Sequence, residues 1–345
     1  MATKTFGKLA FLFPGLGSSV QKGMGKDVWR HSPAGRAVFE AADEYLGMPL
    51  SRLCFQGPQK ALDDTVCAFL ASFVTNIACL EMLRTDKKLA KRLGITQRPP
   101  DFVAGFSAGY IAALVATEVI DFTQGLEIAR EEPRLMKEAC QKKPGKMMAL
   151  IRPRITEVKE LCAEFRVEIG SDVSETLIVL SGSTDLIDGM VAVIRQRKLA
   201  TRIRPVSTQG AFHSGLMGTA VKPFMDFLSP ISFSDPNRQT KIVGSSNVQF
   251  ITTGEKAKQE LINQLHFPVL WAGAMAFLRS AGVDTFIEIG HGEALSKSLK
   301  VSRPKRRKRE RLASFSEALA QHILHPRRGR TKKELGSIVR PRASF

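Results

Sequence analysis

The stretch Val103–Ala116, "VAGFSAGYIAALVA", constrains this chain more than any other. A short apolar run leads into a serine between two glycines, and a run of small and apolar residues follows. Such a pattern reads as a buried strand, a sharp turn and a helix packed closely against a sheet. In a Gly-x-Ser-x-Gly turn of this kind the serine hydroxyl stands at the end of the strand. The backbone N–H groups that open the following helix face the same point. Ser107 is therefore a candidate nucleophile. Glycine and serine are also common loop residues, so the five residues alone leave a plain loop serine open.

The remaining segments supply a sheet for that turn. "KLAFLFPGLGSS" reads as a buried strand ending in a glycine-rich turn, and Pro14-Gly15 stand where a cleaved leader would carry small residues. Helices are expected at "PAGRAVFEAADEYL" and at "FLASFVTNIACLEMLRT", the latter apolar almost all round and therefore buried. Two more are expected at "YIAALVATEVI" and at "TQGLEIAREEPRLMKEAC", the second carrying Pro133 and a kink. Between about 143 and 207 the pattern becomes strand, helix, strand, helix, strand, which is that of a small α+β subdomain. "KIVGSSN" and "TFIEIG" then read as short parallel-sheet strands. The expected organisation is a discontinuous α/β domain over 1–142 and 208–300, an insertion over 143–207, and an extension over 301–345.

Charge falls mostly in that extension. From Lys297 onward there are sixteen Lys and Arg against three acidic residues, so this part carries +13 of the net +18 and leaves +5 for residues 1–296. "RPKRRKRER" has the charge to contact phosphates, but no aromatic residues interleave it, and nucleic acid is not an expected partner. The expectation for 301–345 is a solvated, disordered tail with at most one short amphipathic helix at "ASFSEALAQHILH". A basic arm of this kind also suits faster encounter with an acidic partner. No window holds about eighteen consecutive apolar residues, so no membrane partner is expected. Five cysteines without CxxC spacing fit reduced thiols in a cytoplasmic protein and suggest no metal cluster.

A serine nucleophile needs a base within hydrogen-bond reach. Of the six histidines, His213 in "STQGAFHSGLM" lies in a loop of small residues between an apolar strand and a helix. A single histidine is more often a surface or packed residue than a base, so this position also stays open on its own.

Five segments taken together carry more. "FLFPGLGSS", "VAGFSAGYIAALVA", "EVIDF", "GAFHSGLM" and "NQLHFPVLW" resemble, in order and approximate spacing, the malonyl-CoA:acyl-carrier-protein transacylases and the acyltransferase domains of polyketide synthases. The resemblance spans about residues 8 to 300. It implies an α/β-hydrolase-like domain with a ferredoxin-like insertion. It also implies Ser107 as the acyl-accepting serine, His213 as the general base, and the backbone carbonyl of Gln264 orienting that base. The backbone N–H groups of Leu16 and Ala108 would form the oxyanion hole. The implied reaction is ping-pong: acyl-CoA acylates the serine, and the phosphopantetheine thiol of an acyl carrier protein collects the acyl group, in fatty-acid or polyketide biosynthesis. No metal and no bound cofactor is implied. A hydrolase that clears carrier-bound thioesters and a non-catalytic carrier-binding module are the other readings.

Departures from the family pattern concentrate in the acyl pocket. Leu16 and Ser19 replace two glutamines, Phe106 and Tyr110 replace a histidine and a glutamate around the serine, and Phe69 stands in a usual Gln-Pro-Ala segment. The arginine that holds the malonyl carboxylate aligns with Glu132, followed by Pro133. Arg130 and Arg134 are each two residues away, about 200° around a helix, so neither substitutes directly. Phe212 narrows the pocket near the acyl α-carbon. The expectation is an acyl group that is uncharged, apolar or amino-bearing; the other reading is that Glu132 points to solvent on a charged helix face.

Overall fold

In the computed structural model, which describes residues 7–17, 20–95, 98–301 and 310–324, ten strands form two sheets. They are β1 (Lys8–Phe13), β2 (Phe102–Gly105), β3 (Gly145–Pro153), β4 (Glu168–Ser174), β5 (Leu177–Ser183), β6 (Ala200–Pro205), β7 (Lys241–Val243), β8 (Phe250–Ile251), β9 (Val283–Glu288) and β10 (Arg311–Ser314). Ser19 and most of the "RPKRRKRER" run lie outside the described residues.

The larger sheet has the order β10-β9-β1-β2-β7-β8, parallel except for β8. Its central strands are buried on both faces, which is why they read as nearly continuous apolar runs. Leu9, Phe11, Phe13 and Val103 face one core, and Ala10, Leu12, Phe102 and Ala104 face the other with Trp271 and Leu278. The Thr65–Thr85 helix lies within the first core and is buried along most of its length. It is long and apolar enough to cross a membrane by composition, yet its surface is spent on protein neighbours. Asp64 caps its start, accepting from the N–H groups of Val66 and Cys67.

The smaller sheet is antiparallel, in the order β4-β5-β3-β6. With the helices Ile155–Phe165 and Thr184–Gln196 it forms a βαββαβ, ferredoxin-like unit around Leu150, Leu161, Ile178, Leu180, Met190 and Ile194. Two backbone bonds of 2.9 Å, Asp172 to Val269 and Val269 to Gly170, stitch it to the larger domain. A third tie, from the Ser181 hydroxyl to the Phe212 carbonyl at 2.6 Å, anchors the loop that carries His213. The Phe122–Lys142 helix runs through Pro133 without interruption.

The short helix expected at "ASFSEALAQHILH" is present as Phe315–Leu324, while the expectation that the rest of the extension is a disordered tail is corrected for residues 310–314. Arg311–Ser314 adds a parallel strand to β9, and Phe315–Leu324 is a helix that buries Phe315, Ala318 and Leu319. A four-residue strand has no internal periodicity to read, and its place depends on β9, some two dozen residues earlier. Glu310 opens this segment with a two-point ion pair to Arg279, at 2.9 and 3.0 Å, and its side chain is fully buried. Removing one partner of such a pair strands the other charge. Glu310→Ala is therefore expected to cost about 3 kcal/mol of stability, read as a lower urea midpoint. An unchanged midpoint would show that the pair does not hold the segment.

Candidate active site

Ser107 stands at the carboxyl end of β2, just before the Gly109–Ala116 helix. Its φ of 51° is left-handed, a strained choice for serine that the turn requires. The flanking glycines follow from close approach. A Cβ at Gly105 would lie 2.3 Å from the backbone of Tyr110, and one at Gly109 would lie 2.2 Å from the Phe13 carbonyl oxygen. The local sequence thus folds this way because only glycine lets the helix start so near the strands.

The structure brings Ser107, His213 and Gln264 together. Ser107 Oγ lies 2.9 Å from His213 Nε2, and His213 Nδ1 lies 2.6 Å from the Gln264 carbonyl oxygen. A carbonyl only accepts, so Nδ1 carries the proton and Nε2 presents its lone pair to the serine hydroxyl. Burial pushes the His213 imidazolium down to about 4, against a smaller upward pull from the Gln264 carbonyl. The ring is therefore a neutral proton acceptor at ordinary pH.

One supporting residue escaped the reading of the sequence. Glu260, fully buried, accepts from the N–H groups of Ser245 and Ser246 at 2.7 and 2.8 Å, and from the Gln264 side-chain amide at 3.2 Å. It fixes the helix turn whose carbonyl orients His213. The available signal was an acid four residues before Gln264 on the Gly254–His266 helix.

The loop after β1 closes over the turn from the other side. The Asn76 amide donates to the Pro14 carbonyl at 2.8 Å, and the Ser72 hydroxyl donates to that of Gly15 at 3.2 Å. A Cβ on Gly15 would lie 2.3 Å from the Phe106 carbonyl oxygen and 3.4 Å from the Ala108 nitrogen. Leu16 and Ala108 therefore come from segments in contact, and neither N–H donates to another group among the described residues.

The pocket residues divide. Phe69 and Phe212 are buried in the core of the Thr65–Thr85 helix. Phe106 is not with them: it turns to the opposite face of the sheet and meets Trp271 edge-on, ring centroids 5.4 Å apart. Alternation along the strand ending decides it, since neighbouring residues point to opposite faces.

Glu132 is only 6 % exposed, so the reading that it points to solvent is corrected. Arg130 and Arg134 lie on the exposed side of the same helix, where Arg134 pairs with Glu131 and Glu138. Lys137 bonds Asp64 at 2.8 Å and Gly125 packs against Phe73, so this helix runs antiparallel to Thr65–Thr85. Glu132, seven residues from Gly125 and on the same side, falls level with Ala68 and Phe69. Two turns further on, Cys140 abuts Gly210 in the loop leading to His213, and Thr65 bonds Gln209 of that loop at 2.9 Å. Glu132 thus lies on the side of its helix that packs against Thr65–Thr85, and the histidine loop meets that helix at Cys140.

Among the described residues no group of three or more His, Cys, Asp or Glu could hold a metal ion. All five cysteines are unpaired. A cleft of about 550 Å³ opens at the carboxyl ends of β1, β9 and β10, where Gln21 bonds His291 at 3.0 Å beside Lys297 and Gln321. Chain connections leave β1 and β9 toward opposite sides, and such a switch point is where open α/β sheets take ligands.

The sequence profile described as "Acyl transferase domain" matches residues 10–307. The malonyl CoA-acyl carrier protein transacylase of Bacillus subtilis (strain 168) is 32 % identical over 294 residues, covering 84 % of this chain and 88 % of that one. The crystal structure of the enzyme of that name from Clostridium perfringens superposes with a TM-score of 0.79 at 26 % identity, over 92 % of this chain and 96 % of the other. A malonyl-transacylase solved in complex with a type II PKS acyl-carrier protein gives 0.78 at 25 %, over 92 % and 99 %. A matched profile over most of the chain, on a fold that places a serine, a histidine and a carbonyl in one line, leads to one assignment: the chain belongs to the acyl transferase domain family and is an acyltransferase.

Proposed function

We propose that Ser107 carries an acyl group from coenzyme A to the phosphopantetheine thiol of an acyl carrier protein by a ping-pong reaction. The observation that carries this reading is the line Ser107 Oγ, His213 Nε2, His213 Nδ1, Gln264 O, at 2.9 and 2.6 Å. Ser107 Oγ attacks the thioester carbonyl as its proton passes to Nε2. The oxyanion is met by the N–H groups of Leu16 and Ala108. Collapse breaks the C–S bond, and the leaving CoA sulfur takes the proton from Nε2. In the second half the incoming thiol gives its proton to Nε2, its sulfur attacks the acyl-serine carbonyl, and Ser107 Oγ leaves with that proton. Nothing in this cycle calls for a metal or a bound cofactor.

An acyl carrier protein is the partner seen with a relative of the same fold, and one relative is named for polyketide biosynthesis. The unpaired thiols suit a cytoplasmic setting. The two half-reactions are separable. Mixed with a panel of acyl-CoAs, the protein gains the mass of one acyl group, and the purified adduct passes it to holo-carrier protein; steady-state rates against both substrates give parallel double-reciprocal lines. Loss of the adduct to water alone would identify a hydrolase. Intersecting lines without an adduct would overturn the proposal.

A further inference from the structure

Glu132 is a polar group that the fold leaves unfinished. Its Oε2 is shut off from solvent and has no hydrogen-bond partner among the described residues. An unpartnered carboxyl in a core destabilises the protein, and a ligand that completes its bonding removes that penalty. Burial alone pushes this carboxyl up to about 8.

Its surroundings define what it would take. Met136 and Cys140, further along its own helix, are buried, as are Phe69, level with it on the facing helix, and Phe212 in the histidine loop. The cations on that helix are engaged elsewhere: Arg134 with Glu131 and Glu138, Lys137 with Asp64, both at the surface, while Arg130 is exposed. His213 is held neutral. A malonyl carboxylate brought against Glu132 meets a carboxyl group, and among the described residues the buried cation is Arg279, held by Glu310, so its desolvation is uncompensated. An ammonium group instead supplies both the missing donor and the opposite charge.

We propose that Glu132 is the polar anchor of the acyl pocket and that the site selects short acyl groups bearing an amino group over malonyl and over uncharged chains of equal length. The proposal rests on Ser107 being the residue acylated. Selection resides in one charge-assisted bond between the acyl ammonium and the Glu132 carboxylate.

Three thioesters of similar size separate the cases: β-alanyl-CoA, butyryl-CoA and malonyl-CoA, each mixed briefly with the full chain and read as acyl-enzyme by intact mass. The native protein is expected to load β-alanyl fastest and malonyl slowest. Glu132→Gln, isosteric and uncharged, is expected to lower the β-alanyl to butyryl ratio by about tenfold to a hundredfold, the span of one charge-assisted bond. Glu132→Arg is expected to move the preference to malonyl. Malonyl loading at least as fast as β-alanyl in the native protein would overturn the inference while leaving Ser107 in place. So would a ratio that Glu132→Gln does not change. A native protein that takes none of the three would overturn the assignment of Ser107, and this inference with it.

Discussion

Ser107→Ala yields a protein that gains no acyl mass from any thioester and transfers acyl groups on the order of 10⁴-fold to 10⁶-fold more slowly, the range seen when a hydrolytic nucleophile is deleted. The effect is large because the other groups have no independent route. His213 can deprotonate a water or a thiol, but without a covalent intermediate the two thioester partners must occupy the site at once. The loss is chemical and not structural. Alanine keeps the same Cβ at φ 51°, so the strain of the turn is unchanged, and only the hydroxyl bonded to His213 is removed. Intact mass after mixing with acyl-CoA and the rate of carrier acylation, with the thermal midpoint as a control on folding, are the measurements. A variant with an unaltered midpoint that still becomes acylated would place the nucleophile elsewhere.

What could be read in the sequence was local. The turn at Ser107 is legible because strand, glycines and helix fall within fourteen consecutive residues, and Gly105 answers to a close approach within that stretch while Gly109 answers to Phe13 of β1. The βαββαβ insertion is legible for the same reason: its core residues alternate with the period of their own strands and helices. His213 is different. It lies 106 residues from Ser107, and no periodicity connects them; only the ordered set of five motifs pairs the two. The residues misread are those whose environment is supplied by another segment. β10 exists because β9 offers it an edge and Arg279 offers Glu310 a partner. Helix phase left both faces open for Glu132 until the contacts of Gly125 and Lys137 fixed the rotation. Glu260 could not be singled out, since its partners Ser245 and Ser246 lie in a loop fourteen or more residues away.

His213→Ala is expected to slow acylation of Ser107 on the order of 10³-fold to 10⁴-fold, and the same variant should abolish the acid limb of the pH profile. The sign follows from the state the base must hold. Nε2 accepts a proton only in the neutral ring, so acylation falls as pH drops through the histidine's own pKa. Unperturbed, that limb would lie near 6.5. Burial pushes it to about 4, because desolvation penalises the imidazolium more than the Gln264 carbonyl favours it. The native enzyme is therefore expected to hold its kcat/KM for acylation level from neutrality down to about pH 5 and to lose half near 4, since kcat/KM reports the free enzyme. Gln264 itself is not the lever, as its contribution is a backbone carbonyl that no side-chain replacement removes. Measured on a stable thioester across this range, a limb centred between 6 and 7 would show that His213 is solvated in solution. A limb near 4 that survives in His213→Ala would assign the titration to another group and leave Ser107 without its base.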